Sequence, residues 1–272
     1  MPAITANGRV ALVTGAARGI GAATVAALVT DGWYVLACDA GADDPALGYP
    51  MGTAEELNSV VEAGCRCAGD PDRVRAFAAD VRDLDAITAA VAAAEAAWGG
   101  LDAALAVAGV IAGGMPLWSM PLDQQQVVID VNLGGVLTLA RAAIPALLRR
   151  PPPRSGRFIA VASAAASRGL PMLAAYCAAK AGVVGLIRAL AVELGPTGIS
   201  ANAVSPGSAD TDILSESARL YDLPSADAFA VQQPIQRLIE PAEVAAVLAF
   251  LAGPGSSAMT GAIVAVDGGL SL

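Results

Sequence analysis

The feature that most limits the fold of this chain is a buried strand followed directly by a glycine-rich turn and a helix. The apolar run Val10–Thr14 leads into Gly15-Ala-Ala-Arg-Gly19-Ile-Gly21. In that context Gly15 permits a tight turn, Gly19 lets the backbone approach a pyrophosphate, and Gly21 allows the helix to pack on the sheet. Because a helix N-terminus favours anions, the sequence predicts a phosphate site here. Without the strand and the helix, the same glycines would equally fit a structural turn.

Apolar, β-branched runs alternate with alanine-rich helical stretches along the chain. This alternation is typical of a parallel sheet covered by helices on both faces. We therefore predict an α/β fold, a single-domain Rossmann fold over residues 1–272 with a doubly wound, seven-stranded parallel sheet. The predicted strands are residues 9–14, 33–39, 75–80, 103–108, 157–162, 200–205 and 263–267. The predicted helices are residues 19–30, 54–63, 85–98, 122–150, 173–194 and 242–252.

Charge and cysteine content argue against several classes of function. The net charge is −9, and basic residues cluster only at residues 149–154, so we predict no nucleic-acid partner. The four cysteines of so long a chain do not form the framework of a small secreted domain. Cys65 and Cys67 lack a second pair and any histidine, so we predict free thiols and no metal site.

The mean hydropathy of +0.59 raises the question of a membrane segment. The long uncharged stretches, residues 103–122 and 244–266, are interrupted by glycine and proline. Residues 1–7 contain neither the basic start nor the apolar core of a signal peptide. We therefore expect a soluble, cytoplasmic protein without a membrane span.

An acidic residue closes the second predicted strand. Asp39 comes 18 residues after Gly21, where a carboxylate accepts hydrogen bonds from the hydroxyls of an adenosine ribose and repels a 2′-phosphate. The position predicts NAD as the cofactor. Arg18, within the glycine loop, could reach a 2′-phosphate, which leaves NADP as the alternative.

Two further features concern the cofactor site: the end of the third predicted strand and the connection that precedes this strand. Asp80 and Val81 are expected to meet the adenine edge, with a simple helix cap as the alternative for Asp80. Residues 41–53 are rich in Gly, Pro and Asp and make this crossover unusually long. We predict an inserted loop that starts beside the ribose site; the alternative is a solvated surface excursion.

The only lysine of the chain, Lys180, stands four residues after Tyr176. On a helix this spacing puts both side chains on one face. A compact ammonium can hydrogen-bond a sugar hydroxyl and stabilise a phenolate, and arginine is a poor substitute in that geometry. The pair indicates a tyrosine that exchanges protons; the alternative is an isolated surface lysine.

An ordered set of motifs extends over nearly the full length of the chain. They are Thr14-Gly-x-x-x-Gly-x-Gly21, Asp80-Val81, Ala108-Gly109, Asn132, Ser163, Tyr176-x-x-x-Lys180, Asn202-Ala-Val-Ser-Pro206-Gly207 and Val266-Asp-Gly-Gly269. In this set Ser163 precedes Tyr176 by 13 positions. The order and spacing resemble those of the short-chain dehydrogenase/reductase family.

The resemblance implies a hydride transfer between a substrate carbon and nicotinamide C4, with Tyr176 as the acid/base. Lys180 is then expected to lower the pKa of Tyr176 and to anchor the nicotinamide ribose. Ser163 is expected to orient the substrate oxygen. Asn132 is expected to hold a water that links Lys180 to solvent, with helix capping or packing as its alternative role.

The resemblance also completes the predicted cofactor site, in which Ile20 packs against the nicotinamide. The predicted cofactor-binding residues are Gly15, Arg18, Gly19, Ile20, Gly21, Asp39, Asp80, Val81, Ala108, Gly109, Tyr176, Lys180, Pro206, Gly207 and Thr211. Where the family has Asn-Ala-Gly after the fourth strand, this chain has Val107-Ala108-Gly109. The change removes a structural hydrogen bond and no proton carrier.

The long crossover resembles a narrower branch, the mycofactocin-associated short-chain dehydrogenases of actinobacteria. Three segments carry this likeness: residues 48–57, 98–102 and 168–176. The likeness implies that the insertion covers a tightly retained NAD and that mycofactocin, a peptide-derived redox partner, takes up the electrons.

Residues 208–236 are predicted to form the substrate loop, and an apolar rim favours a hydrophobic secondary alcohol or ketone. The predicted rim residues are Leu214, Leu220, Tyr221, Leu223, Phe229, Met115, Trp118 and Met172. The resemblance further implies a homotetramer. The alternatives are a noncatalytic NAD-binding sensor and a nucleotide-sugar epimerase, although the latter needs a longer chain.

Overall fold

Seven parallel strands form one sheet in the computed structural model, which describes residues 8–272. The strands are β1 (Val10–Thr14), β2 (Tyr34–Asp39), β3 (Val74–Ala78), β4 (Ala103–Ala106), β5 (Arg157–Val161), β6 (Ser200–Pro206) and β7 (Ile263–Val266). Their order in the sheet is β3-β2-β1-β4-β5-β6-β7. The order reverses between β1 and β4, so a crevice opens there at the carboxyl ends of the strands. The predicted α/β fold class is confirmed, and the expectation about a signal peptide concerns residues that lie outside the described range.

The described part of the chain contains eight α-helices, six of which pack on the two faces of the sheet. They are α1 (Gly19–Thr30), α2 (Ala54–Ala68), α3 (Leu84–Trp98), α4 (Leu122–Ile129), α5 (Gly135–Arg149), α6 (Ala174–Leu194), α7 (Asp212–Leu220) and α8 (Pro241–Ala252). One apolar cluster joins α3, α5 and α6 to one face. A second joins α1, α2 and α8 to the other. Strands buried on both faces favour apolar runs, and β1, β4 and β5 are mostly apolar, whereas the equally buried β6 also contains Ser200, Asn202 and Ser205.

The predicted insertion ends where α2 begins. Thr53 accepts a hydrogen bond from the backbone N–H of Glu56, and the Glu56 carboxylate accepts one from the backbone N–H of Thr53. This reciprocal capping satisfies two donors of the first turn and fixes the helix start. Residues 41–53 form a connection without regular helix or strand.

The single helix predicted over residues 122–150 is interrupted. Asp130–Gly134 forms a π-helical turn between α4 and α5. The side-chain amide of Asn132 donates to the carbonyl oxygen of Val128 at 2.8 Å, so this carbonyl has a partner other than the backbone N–H of the next turn. A side chain that enters the backbone ladder in this way is a usual cause of a local irregularity, and π turns are frequent at functional sites.

The region predicted as the substrate loop is partly helical. It contains α7, which Thr211 caps through its hydroxyl, and a 3₁₀ helix, Ala226–Gln232. The predicted loop did not include these helices, and the amphipathic pattern of α7 spans only nine residues. The substrate side is thus built from short helices.

Two segments, Leu122–Arg149 and Ala174–Thr197, are long and apolar enough to cross a membrane by length and composition alone. Neither is an uninterrupted apolar run, because charged residues such as Asp130 and Arg188 lie within them. Half of the apolar window in the first and 39% of that in the second is buried within the protein. Both segments pack on the sheet and belong to the core. Core helices commonly meet this length and composition criterion, so it does not indicate a membrane span here.

Candidate active site

A cavity of about 820 Å³ opens at the carboxyl ends of the strands. It is bordered by the glycine loop after β1, by the ends of β2 and β3, and by the segments that follow β4, β5 and β6. Every residue of the predicted cofactor site lines it. Of the predicted catalytic residues, Ser163, Tyr176 and Lys180 line it as well, whereas Asn132 does not. The fold therefore brings together residues that are far apart in the sequence.

The glycine loop has no room for a side chain at Gly15 or at Gly21. A Cβ at Gly15 would lie 2.6 Å from the Cα of Ala108, and one at Gly21 would lie 1.8 Å from the carbonyl oxygen of Gly15. Gly15 also has a φ of +68°, which favours glycine. The loop packs against β4 and leads directly into α1, as a pyrophosphate site at a helix N-terminus requires.

The carboxylate of Asp39 lies at the end of β2 and faces two backbone N–H groups. Ala17 donates to Oδ2 at 3.0 Å and Gly41 donates to Oδ1 at 3.3 Å. These bonds fix the carboxylate between the glycine loop and the start of the insertion. Each oxygen keeps a lone pair, so Asp39 can still accept from ribose hydroxyls.

Arg18 connects three parts of the cavity wall. Its Nη2 donates to the carbonyl oxygen of Pro50 at 2.7 Å, and its Nε lies 3.1 Å from Oδ2 of Asp212 in the first turn of α7. The guanidinium thus ties the glycine loop to the insertion and to the substrate side. Because these donors already have partners, the structure favours Arg18 as a link between the three segments over Arg18 as a binding group for a 2′-phosphate.

Asp80 lies two residues beyond β3 and is held by Arg82. The Arg82 guanidinium contacts both carboxylate oxygens of Asp80 and also pairs with Asp44 of the insertion at 2.8 Å. Burial opposes ionisation of Asp80, but the hydrogen bonds from Arg82 outweigh it and lower the pKa of Asp80. The N-terminal cap of α3 is Asp83, not Asp80. The contact of Asp80 with adenine stays a prediction.

Tyr176 and Ser163 meet on the substrate side of the cavity. Ser163 follows β5, and its Oγ accepts from the backbone N–H of Ala165 at 3.1 Å. Burial raises the pKa of Tyr176 to about 12, and the hydrogen bond with Ser163 opposes that rise. Tyr176 is therefore a neutral phenol at neutral pH and is able to donate its proton to a substrate oxygen.

Lys180 is almost fully buried, with 3% of its surface exposed. Its Nζ donates to the carbonyl oxygen of Val161 at 2.9 Å and lies 5.8 Å from the centre of the Tyr176 ring. Burial lowers the pKa of Lys180 to about 8. Burial is the largest influence on the pKa of Tyr176, and the expected lowering of that pKa by Lys180 stays a prediction.

Asn132 is fully buried and fixes the loop that follows β4. Its amide nitrogen donates to the carbonyl oxygens of Val110 and Val128, each at 2.8 Å, and its Oδ1 accepts from the backbone N–H of Val110 at 3.2 Å. Both amide hydrogens are used, so any bond to a water would involve the remaining lone pair of Oδ1. The geometry favours a positioning role, and the water relay stays a prediction.

Thr14 anchors the loop that follows β4. Its Oγ1 accepts from the backbone N–H groups of Val107 and Ala108 at 3.2 and 3.4 Å and donates to the carbonyl oxygen of Leu105. A Cβ at Gly109 would lie 3.0 Å from Oδ1 of Asn132. The loop after β4 is therefore held by hydrogen bonds, although Val107 stands where the family has asparagine.

The substrate side is apolar. Of the predicted rim residues, Leu214, Tyr221, Leu223 and Phe229 line the large cavity. Met115 and Leu220 instead line a neighbouring cavity of about 300 Å³, and Met172 lines neither. Trp118 is 89% exposed and also lines neither, so its place at the rim was predicted wrongly. Leu170, Leu173 and Leu270 also line the large cavity and were missed, because residues this distant in sequence converge only in the fold.

The insertion also contributes residues that the sequence analysis did not assign to the site. Leu47 and Met51 line the large cavity, and the hydroxyl of Tyr49 accepts from the backbone N–H of Ile111 at 3.0 Å. The only available signal was the presence of large apolar and aromatic residues in an otherwise Gly-, Pro- and Asp-rich segment. Among residues 8–272 no group of three His, Cys, Asp or Glu side chains could hold a metal ion.

Similar proteins share this architecture over their full length. A family model described as enoyl-(acyl carrier protein) reductase matches residues 15–271. The chain is 34% identical to (-)-trans-carveol dehydrogenase of Rhodococcus erythropolis, covering 98% of each chain. It is 38% identical to cis-4-hydroxycyclohexanecarboxylate dehydrogenase of Sinomonas cyclohexanicum, covering 96% of each.

A solved structure agrees with these sequence comparisons. Carveol dehydrogenase from Mycobacterium avium in complex with NAD superimposes with a TM-score of 0.91, at 32% identity, over 97% of this chain and 98% of that one. The fold, the ordered motifs and the full-length matches agree with one another. The chain therefore belongs to the short-chain dehydrogenase/reductase family, and it is an oxidoreductase of that family.

Proposed function

We propose that the protein interconverts a hydrophobic secondary alcohol and its ketone, with NAD as cofactor and Tyr176 as the acid/base. One observation carries the proposal: Tyr176 and Ser163 line the same cavity as the glycine loop and Asp39. A proton donor and a dinucleotide site thus share one cavity. Membership of the family supports action on CH–OH groups.

The residues fit NAD. The glycine loop leaves space for a pyrophosphate, Asp39 offers free lone pairs at the ribose position, and Arg18 is engaged by Pro50 and Asp212. The NAD complex of a 32% identical relative supports the same cofactor. Bound NAD supplies the hydride acceptor and donor at nicotinamide C4.

The protein's own part in the reaction is proton transfer and orientation. In ketone reduction, the neutral phenol of Tyr176 donates its proton to the carbonyl oxygen, and the hydroxyl of Ser163 holds that oxygen in place. In alcohol oxidation, Tyr176 must first lose its proton in order to accept one. Lys180, which bonds Val161, is positioned to bind a ribose hydroxyl with its remaining hydrogens.

The shape and chemistry of the cavity support a hydrophobic substrate. Tyr221 and Phe229 pack edge to face with their ring centres 6.1 Å apart, and both line the cavity with Leu214 and Leu223. Two relatives carry the names of cyclic alcohol substrates, carveol and 4-hydroxycyclohexanecarboxylate. A cyclic secondary alcohol is therefore the substrate class proposed for this chain.

The insertion supports tight retention of NAD. It is tied to the protein by Asp44 with Arg82, by Tyr49 with Ile111 and by Pro50 with Arg18, and these partners lie on different sides of the cavity. Cofactor exit would require several of these contacts to break. With NAD retained, an external electron acceptor is needed, and mycofactocin is the proposed partner. A cytoplasmic homotetramer is proposed from the family resemblance.

Mass spectrometry of the purified protein tests the cofactor. NAD should remain after desalting, and a panel of cyclic secondary alcohols should be oxidised over many turnovers when an artificial dye serves as acceptor. A protein that purifies without NAD and cycles freely exchanging NAD would contradict retention alone. A protein that binds NAD but turns over no alcohol or ketone would instead favour the noncatalytic sensor.

A further inference from the structure

The tip of the insertion lies on the substrate side of the cavity as well as on the ribose side. Its first part is tied near the adenine end, where Asp44 pairs with Arg82. Its later part reaches the loop after β4, where Ile111 donates to the hydroxyl of Tyr49 at 3.0 Å. The segment therefore crosses the groove from one side to the other.

Leu47 lies between these two ties and is part of the cavity wall. It packs against the buried cluster of Ala112, Val128 and Ala175, and Tyr176 packs against the same cluster. Leu47 of the insertion and Tyr176, the proposed acid/base, thus pack against the same apolar cluster. Leu47 and Tyr176 also line the same cavity.

The insertion tip also divides two cavities. Leu47 lines the cavity of about 820 Å³, and its neighbour Gly48 lines the smaller one of about 300 Å³. Ile111, which bonds Tyr49, lines both. The two cavities are therefore separated by residues 47–49 and Ile111. The size of the side chain at position 47 then limits how far the substrate pocket extends.

The environment of Tyr49 agrees with this position. Burial raises the pKa of Tyr49 to about 12, the hydrogen bond from Ile111 and the charge of Arg18 oppose the rise, and Glu216 and Tyr176 add to it. The phenol therefore stays neutral and keeps its bond to Ile111 over the working pH range. It acts on the pocket through Leu47 and Ile111.

We propose that Leu47 is a specificity-determining residue of the substrate pocket and that Tyr49 is the positioning residue that holds it there. The assignment rests on the proposed alcohol dehydrogenase function and adds to it which residues limit the substrate. The insertion then has two roles, because the same segment that borders the cofactor also limits the size of the ring that can approach Tyr176.

The test compares a small and a bulky alcohol, cyclohexanol and 4-tert-butylcyclohexanol, with an artificial dye as acceptor. Leu47→Ala should raise the ratio of kcat/KM for the bulky alcohol over the small one by about tenfold or more, since pocket contacts of one methylene change discrimination by roughly 10- to 200-fold. Leu122→Ala is the matched control, because Leu122 is 78% exposed and lines neither cavity. It should leave the ratio unchanged.

Tyr49→Phe keeps the ring and removes the bond to Ile111. It should shift the same ratio in the same direction by about two- to fivefold. If Tyr49 only held the fold together, the variant would lower the Tm and leave the ratio as in the wild type. That result would overturn the positioning role.

Ketone binding tests the proposal without turnover. The Kd values of cyclohexanone and 4-tert-butylcyclohexanone are measured from the fluorescence of NADH bound to the intact protein, and Leu47→Ala should favour the bulky ketone by a similar factor. An unchanged ratio in this variant overturns the role of Leu47, even where the wild type oxidises alcohols. The role of Leu47 is also overturned if neither ketone binds to the wild type or to Leu47→Ala. Loss of all alcohol turnover with a shifted binding ratio would contradict only the proposed function.

Discussion

Lys180 donates a hydrogen bond to the carbonyl oxygen of Val161, the last residue of β5, at 2.9 Å. The bond anchors α6 to the strand that leads to Ser163 two residues later. It also fixes the ammonium in a nearly closed environment on the floor of the cavity, below the ring of Tyr176. The site is therefore a rigid constellation built on one strand end and one helix face.

Replacement of Tyr176 by phenylalanine should abolish turnover. The variant keeps the ring that packs against Ala175 and its neighbours but removes the proton that a ketone oxygen must receive. We expect less than about one hundredth of the wild-type kcat/KM, a loss equal to the roughly 10²-fold lower bound for general acid catalysis. NAD binding, measured by calorimetry, should stay within several-fold. Activity above that level would remove Tyr176 from the proposed role.

Lys180→Arg should also fail, although it conserves the charge. Only 3% of Lys180 is exposed, so the larger planar guanidinium cannot keep the bond to Val161 and at the same time reach a ribose hydroxyl. Steady-state assays should show a large loss of kcat/KM, whereas Arg188→Lys, outside the cavity, should be active. A fully active Lys180→Arg enzyme would mean that only the charge matters.

Alcohol oxidation should accelerate with pH. Because the pKa of Tyr176 is raised to about 12, the deprotonated form that accepts a proton is scarce at pH 7 and increases about tenfold for each pH unit. The logarithm of kcat/KM for oxidation should therefore rise with a slope near one from about pH 6 to pH 9. Ketone reduction needs the neutral phenol and should be nearly flat over this range. A plateau in oxidation at neutral pH would show that the working enzyme lowers the tyrosine pKa.

Asp39→Ala should weaken NAD binding and relax discrimination against NADP. The variant removes the ribose acceptor, the charge that repels a 2′-phosphate, and the bonds to Ala17 and Gly41. The measurement is the ratio of Kd values for the two cofactors. Asp85→Ala, an exposed acid in the first turn of α3, is the control and should leave the ratio unchanged. An unaltered preference in Asp39→Ala would locate ribose recognition elsewhere.

Arg18→Ala should speed cofactor exchange without a switch to NADP. The variant removes the bond to Pro50 and the ion pair with Asp212, each worth about 1 kcal/mol or less at a partly exposed site. Together these losses correspond to about five- to tenfold faster release of NADH, measured by stopped-flow fluorescence. Arg75→Ala, which removes an exposed ion pair on the edge strand β3, should have no effect. An unchanged rate of NADH release in Arg18→Ala would exclude a role of Arg18 in retaining the cofactor.

Local sequence patterns were sufficient to predict the sheet and much of the site. The seven strands were found within about two residues of their ends, and α1 was found with its observed bounds, because buried parallel strands and their glycine turns have strong short-range signals. Asp39 and Ser163 reach the same cavity because parallel strands bring their carboxyl ends together, and α6 adds Tyr176 and Lys180 to it. The family motifs supplied the roles of these residues.

What the sequence by itself determined was therefore the α/β order of elements, the glycine loop and the identity of the chemical groups. Only the tertiary structure decided the π turn at Asn132, the contact of Tyr49 with Ile111 and the raised pKa of Tyr176. These features depend on groups that are distant along the chain and on how far each is removed from water. No local pattern encodes either quantity, because both arise only when the insertion, α6 and the loop after β4 pack around one cavity.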